Sequence, residues 1–179
     1  MMMLLLMACS NSFTDEALPQ TESGLPDLLS DLDDSGCEDL EGNAIAGAVA
    51  WYWGEYQYTD GGYDGEERLI YFANDAWEAL DGEDCEIVWQ TSATDADTGA
   101  CGACDIGMSV TAVLDAGQSN CPAGLQGEET WSEDYALSLR EDETVEWFFA
   151  GSGSAFAEGY HNDQALSYRS EKSCAWFGG

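Results

Sequence analysis

Apolar and polar residues alternate along much of the chain from residue 43 onward. The first such stretch puts aliphatic and tryptophan side chains on one face, namely Ile45, Val49, Trp51 and Trp53. The opposite face carries three tyrosines, Tyr52, Tyr56 and Tyr58. A period of two indicates a β-strand with one buried face. We predict that the tryptophan face packs in the core and that the tyrosine face is exposed, free to stack against a ligand such as a sugar ring.

Further stretches with strand-like composition follow along the chain. They are residues 67–73, 85–91, 104–114, 131–139, 144–150, 154–161 and 164–171. The connections at residues 151–153 and 162–163 are short enough for antiparallel hairpins. An all-β chain with this spacing folds as an antiparallel meander of about eight strands, which closes into a lipocalin-like barrel or packs as a sandwich. We place this β domain at residues 43–179.

The N-terminus has the pattern of an export signal. Residues 1–8 are apolar without exception and run into Cys9. Such a run is too short to span a bilayer, which needs about 20 residues, and it is typical of the apolar region of a signal peptide. The stretch from Leu6 to Cys9 resembles the lipobox of bacterial lipoproteins. We therefore predict a signal-peptide remnant at residues 1–8 and a lipid anchor, such as palmitate, on Cys9.

The charge of the chain is strongly negative, with 36 acidic residues against four Lys and Arg residues. This surface repels phosphate backbones and lacks a basic patch, so we exclude nucleic acid as a partner. It also repels anionic lipid, so attachment to a membrane has to come from the lipid on Cys9. Between Asp15 and Glu41 every charged residue is acidic. We interpret residues 9–42 as a lipid-anchored, extended acidic linker.

Cysteine usage agrees with export. The sequence holds seven cysteines, and setting Cys9 aside leaves an even number. An even set in an exported domain indicates a disulfide framework, although spacing alone leaves the connectivity open. The pairing that we predict is Cys37–Cys174 at the ends of the domain, Cys85–Cys121 across a hairpin, and Cys101–Cys104 as a local clip.

The Cys-Gly-Ala-Cys motif at residues 101–104 is also the spacing of a redox pair. A thioredoxin-like thiol needs a helix that begins at the first cysteine and lowers the thiol pKa. Here the residues after Cys104 alternate as a strand. We interpret the motif as a structural disulfide, and neither redox catalysis nor a zinc site is favoured.

The opening of a calcium loop is present in the acidic region. Asp31, Asp33 and Ser35 offer oxygen ligands at alternate positions and Gly36 follows them, as in an EF-hand. The match ends at Gly42, which stands where the bidentate glutamate belongs. Calcium is therefore kept as a candidate ligand, and the sequence indicates no other cofactor. With the lone His161 and no nucleophile elbow, we predict no catalytic residues and no enzyme.

The cysteine-containing region resembles uncharacterised secreted bacterial lipoproteins of myxobacterial type. The resemblance rests on residues 85–89, on residues 101–106 and on Cys121, together with the lipobox. It implies an exported lipoprotein with an acidic spacer and a small β domain, and it brings no catalytic residue. Ser10 after the anchor, by the sorting rule of enteric lipoproteins, predicts the outer membrane.

Together these features predict a non-enzymatic lipoprotein of the cell envelope that serves as a surface binding or structural component. Two alternatives stay open. The first is a lipocalin-like carrier of a small hydrophobic ligand, which requires a closed barrel with an apolar cavity. The second is a module for glycan- or calcium-dependent adhesion, which requires an exposed tyrosine face. The partner is thus a glycan, a small ligand or another envelope protein, and the shape of the domain is expected to discriminate between them.

Overall fold

A computed structural model describes residues 18–38, 44–45, 48–72, 83–122 and 124–175. The predicted signal-peptide remnant and Cys9 lie outside these residues. The described part contains the following strands: β1 (Cys37–Glu38), β2 (Ala44–Ile45), β3 (Ala48–Thr59), β4 (Gly62–Phe72), β5 (Cys85–Asp95), β6 (Ile106–Leu114), β7 (Thr130–Leu139), β8 (Thr144–Phe149), β9 (Ala155–Tyr160), β10 (Ala165–Ser170) and β11 (Ser173–Ala175).

The strands β3 to β10 form a closed, eight-stranded antiparallel barrel. Each pairs with the next one along the chain, and β10 pairs back onto β3. Because β3 is 12 residues long, the same edge also has room for β11, which pairs with its first residues. The short strands β1 and β2 form a separate pair. The predicted all-β meander is confirmed, and closure of β3 with β10 decides for the barrel over the sandwich.

The described residues contain strands and turns only. Among them, no helix has the length and apolar character needed to cross a membrane.

The barrel interior is filled by large side chains. Strand alternation sends every second residue inward, and the largest of these are aromatic or aliphatic and less than 2% exposed: Tyr56, Ile87, Met108, Tyr135, Leu137, Trp147, Leu166 and Tyr168. The indole of Trp147 lies 4.6 Å from the ring of Tyr168 and 5.7 Å from that of Tyr56, centroid to centroid. An eight-stranded barrel is just wide enough for side chains to fill it, and here they do so at its aromatic end.

A second packed layer lies outside the barrel. We call residues 18–36 the N-terminal segment, and it runs against the outer face of β3 and β10. Leu25 is 2% exposed and Leu28 is fully buried. Arg169 on β10 donates to the carbonyl oxygen of Leu28 at 2.7 Å and pairs with Asp31. Lys172 pairs with Asp33 at 2.7 Å.

The prediction of an extended acidic linker is therefore wrong for residues 18–38. Self-repulsion was expected to keep this stretch away from the domain. Two of the four basic residues of the chain neutralise two of its carboxylates, and two leucines of the segment are buried. Burial of this kind is worth roughly 1.5–3 kcal/mol for each leucine.

The outer layer also reverses the expected faces of β3. Trp51 and Trp53 are buried, as predicted, but they lie on the outer face of the barrel. Trp51 donates from its indole nitrogen to the carbonyl oxygen of Asp33 at 3.2 Å, and the Arg169 guanidinium lies over its ring. Tyr52 and Tyr56 point inward, so the prediction that this tyrosine face is exposed is wrong for both.

Three disulfides staple the fold. Cys37–Cys174 joins β1 to β11, with 5.9 Å between the Cα atoms, and so ties the N-terminal segment to the last strand. Cys85–Cys121 joins the start of β5 to the connection before β7, and Cys101–Cys104 closes a turn between β5 and β6. These are the three pairs that we predicted.

A leucine truncation tests the docking of the N-terminal segment. We expect Leu28→Ala to lower the free energy of unfolding by about 2–5 kcal/mol, because the side chain is fully buried. Leu29→Ala is the matched control, since Leu29 is only half-buried, and it should cost clearly less. Urea unfolding followed by tryptophan fluorescence measures both. Equal and small effects of the two changes would mean that the segment is not docked.

Candidate functional site

A single carboxyl group lies in the middle of the barrel. Glu67 belongs to the inward-facing set of β4, between Gly65 and Leu69, and its side chain is fully buried. In register with it stand Gly54 on β3 and, on the far side of Gly54, Tyr168 on β10. Glu67 therefore lies one strand away from the pairing that closes the barrel.

Gly54 lets the ring of Tyr168 reach toward Glu67. A Cβ atom at residue 54 would lie 2.5 Å from Cε1 of Tyr168 and 3.1 Å from its hydroxyl oxygen. No side chain fits under the ring at these distances. The ring of Tyr168 consequently lies across β3 at this glycine, and its hydroxyl group acts electrostatically on Glu67.

Tyrosine hydroxyl groups surround the carboxyl group. Tyr52 donates a hydrogen bond to Oε2 of Glu67 and Tyr56 donates one to Oε1. Tyr135 on β7 interacts with the same carboxyl group electrostatically, and its ring centroid lies 6.4 Å from that of Tyr168. We call these five residues the tyrosine–glutamate cluster.

No basic side chain pairs with Glu67 in the described part of the chain. Each of the four basic residues of the sequence has an acidic partner elsewhere: Arg68 pairs with Glu66 and Glu86, Arg140 with Glu146, Arg169 with Asp31 and Lys172 with Asp33. An ionised carboxylate is costly to bury unless it is paired. Desolvation therefore raises the pKa of Glu67 to about 7, and the hydrogen bonds from Tyr52 and Tyr56 limit the rise.

The tyrosines themselves stay protonated. Burial raises the pKa of Tyr52, Tyr56 and Tyr168 well above the usual value for a phenol. They act as neutral hydrogen-bond donors at any physiological pH. The group that changes its charge near neutrality is Glu67.

In the part of the chain that the structure describes, two buried side-chain hydroxyl groups have no hydrogen-bond partner. They belong to Thr91 on β5 and to Tyr168. Unsatisfied buried polar atoms are rare, and each asks for an explanation. A protonated Glu67 carries an O–H group that needs an acceptor, and the Tyr168 hydroxyl oxygen is available for it.

A second feature is an open groove of about 780 Å³ on the outer face of β3, β4 and β5. Four carboxylates and one guanidinium lie along it with two amide side chains, so its net charge is negative. Its lining is Glu22, Trp53, Glu55, Gln57, Asp64, Gly65, Glu66, Arg68, Gln90 and Thr91. We call it the outer groove, and the N-terminal segment supplies one wall through Glu22.

The hydrogen bonds inside the outer groove fix its floor. Glu66 accepts from Nε of Arg68 at 2.6 Å and from the Gln90 amide at 3.1 Å. The Arg68 guanidinium lies 5.7 Å from the ring centroid of Trp53, which is 8% exposed. The face of the indole is thus covered, and a ligand in the groove would meet mainly carboxylates and amides.

The structure separates the tyrosines that the sequence grouped as a ligand face. Tyr52 and Tyr56 belong to the buried cluster. Tyr58, near the end of β3, is 38% exposed and lies 5.3 Å from Tyr63 between ring centroids. The three do not form one exposed surface.

The predicted calcium residues have other partners. Asp31 pairs with Arg169, and Asp33 pairs with Lys172 and accepts from the backbone nitrogen of Ser35 at 2.8 Å. The described residues contain no group of three or more His, Cys, Asp or Glu side chains that could hold a metal ion.

Sequence reasoning missed Glu67, Gly54, Tyr135 and Tyr168. A usable signal existed in β4, where Tyr63, Gly65, Glu67, Leu69 and Tyr71 share one parity. A lone acid among aromatic and aliphatic residues of one strand face indicates a buried carboxyl. Its tyrosine partners on β7 and β10 become apparent only from the barrel register.

Comparison with protein-family models, with curated proteins and with solved structures finds no match for this chain.

The buried carboxyl group predicts a pH dependence. An acid whose pKa is raised in the folded state stabilises the fold fully below its unfolded pKa, and this contribution is lost as the pH rises through the folded pKa. For Glu67 that window runs from the ordinary value of 4.5 to about 7. We expect the free energy of unfolding to fall by about 3 kcal/mol across it, at 1.36 kcal/mol per pKa unit.

Urea unfolding at a series of pH values, on three proteins, measures this effect. Glu67→Gln should lose the dependence attributable to this group, whereas Glu66→Gln on the same strand should keep it. If the free energy of unfolding depends on pH in the same way for the native protein and for Glu67→Gln, the fold does not raise the pKa of this carboxyl group.

Proposed function

We propose that this protein is a lipid-anchored component of the bacterial cell envelope, without enzymatic activity, whose barrel presents the outer groove for binding. The observation that carries the proposal is that the disulfides account for every cysteine of the sequence except Cys9. Three disulfides take the six cysteines from Cys37 to Cys174, and the sequence has seven. Cys9, directly after the apolar run, is the one outside the framework.

The disulfides bear on the compartment. Structural disulfides form and persist in oxidising environments, so the three pairs indicate an extracellular or envelope location. Attachment to the outer membrane through a lipid on Cys9 is the finer form of this proposal. It is supported by the resemblance of residues 6–9 to a lipobox and by Ser10 after it.

The filling of the barrel favours binding at the outside. A lipocalin-like carrier needs an apolar cavity for its ligand. Here Trp147, Tyr135 and Tyr168 pack against one another in the interior, with ring centroids between 4.6 and 6.4 Å apart. This packing supports a rigid scaffold more than a carrier.

The chemistry of the outer groove suggests its ligand. Carboxylates and amides such as Glu55, Asp64 and Gln57 are acceptors for hydroxyl and ammonium donors, and the excess of negative charge repels anions. A glycan with free amino groups carries both kinds of donor. We therefore propose an amino-sugar oligosaccharide as the ligand class.

The anchor is tested with Cys9→Ser in the full chain expressed in a bacterial host. We expect the native protein to incorporate labelled palmitate and to partition with membranes, and the variant to do neither while its domain still folds. Ser10→Ala is the matched control and should keep the label. Membrane association that survives in Cys9→Ser, or that is missing from the native protein, contradicts the anchor.

The groove is tested by calorimetric titration of the domain with glucosamine hexamer and with its N-acetylated counterpart. We expect binding of the charged oligomer only. The double variant Glu55→Gln/Asp64→Asn should weaken it about tenfold or more, the effect of two lost charge-assisted hydrogen bonds.

The matched control for the groove is Glu129→Gln/Glu141→Gln. It removes the same charge at two exposed residues that are not part of the groove. A similar loss in both double variants would show that binding follows the net charge alone. Absence of binding by the native protein rejects this ligand class.

A further inference from the structure

We propose that the barrel opens locally at β10 when Glu67 loses its proton, so that the closing strand acts as a proton-controlled seam. This inference is independent of the ligand of the outer groove.

Strand β10 takes part in the weakest pairing of the barrel, and it shares with β9 the smallest total number of ladder pairs. It matches β3 over five residue pairs and β9 over only two. By comparison, β3 and β4 share eleven pairs and β4 and β5 share nine. Separating β10 from both neighbours breaks seven residue pairs, as many as separating β9 and fewer than separating any other strand of the barrel.

The buried carboxyl group lies directly behind this strand. Tyr168 of β10 reaches across Gly54 to Glu67, and Leu166 and Tyr168 close the interior on that side. Moving β10 outward would take the ring of Tyr168 away from Glu67 and let water reach the carboxyl group.

The side chains that face Glu67 cannot stabilise its ionised form as bulk water does. They are Tyr52 and Tyr56 from β3, Tyr135 from β7 and Tyr168 from β10, and all of them are neutral. Within the described residues no cation comes close enough to pair with it. Ionisation therefore favours the state in which solvent reaches the carboxylate.

The outside of β10 holds the strand in place. Arg169 pairs with Asp31 and donates to the Leu28 carbonyl of the N-terminal segment. Opening must break these contacts too, so the closed barrel remains the major state on both sides of neutrality. The proton changes how often the seam opens.

The size of the effect follows from the two states. If the open state restores the ordinary pKa of 4.5 and the closed state has about 7, the opening equilibrium rises about tenfold from pH 6 to pH 8. This increase comes in addition to the known acceleration of amide exchange by hydroxide.

Native-state hydrogen exchange with mass spectrometry tests the seam on the intact, disulfide-bonded protein. After correction for the intrinsic rate, peptides covering β10 and residues 53–57 of β3 should gain about tenfold in exchange from pH 6 to pH 8. They should be less protected than the β5–β6 peptides, and low urea should barely change their rates, as local opening requires.

Two variants show whether the ionisation of Glu67 causes the extra exchange. Glu67→Gln should remove the extra exchange, and Glu66→Gln should retain it. A β10 that exchanges with the same protection and the same urea dependence as β5 and β6 opens only by global unfolding, which overturns the proposal. The proposal is also overturned if the exchange rate of β10 rises from pH 6 to pH 8 by no more than the intrinsic rate does. Because these readings come from the native protein, a poorly folding variant does not block the test.

Discussion

The pairing of β3 with β10 is the interaction on which the other features of the molecule depend. It converts a meander into a barrel and leaves the domain without the long open edges that favour aggregation. It also brings together Gly54 and Tyr168 from opposite ends of the domain. Without this contact the carboxyl group of Glu67 would have no lid, and the N-terminal segment would have no continuous surface to pack on.

Closure also explains why the tyrosines are neutral donors in the interior and not ligands on the surface. Tyr52 and Tyr56 alternate with tryptophans along β3, and both sets are bulky enough for a core. In a closed barrel only one of them can point inward. The tyrosines do so because their hydroxyl groups satisfy a buried carboxyl group, whereas the tryptophans pack under the N-terminal segment and beside the guanidinium groups of Arg68 and Arg169.

Local patterns allowed the strands and the meander to be predicted, because periodicity is a property of short stretches. The three disulfide pairs were also predicted, although cysteine spacing alone left the connectivity open. The choice of the inward face was not predictable from β3 alone, since a period of two does not say which face is inside. The docking of residues 18–38 was hidden for a different reason. Its apolar content amounts to a few leucines in an acidic stretch, and the cations that hold it come from the last strands of the chain.

Neighbouring residues of β10 link the inside of the barrel to its outer layer. Tyr168 points to Glu67, and Arg169, the next residue, holds Asp31 of the N-terminal segment. If the two sites are coupled through this strand, a change at either one shifts the equilibrium at the other by the same free energy. Anything that pulls the N-terminal segment away from Arg169 should therefore make Glu67 a stronger acid. Displacement of this segment would thereby cause the release of a proton from the interior of the barrel.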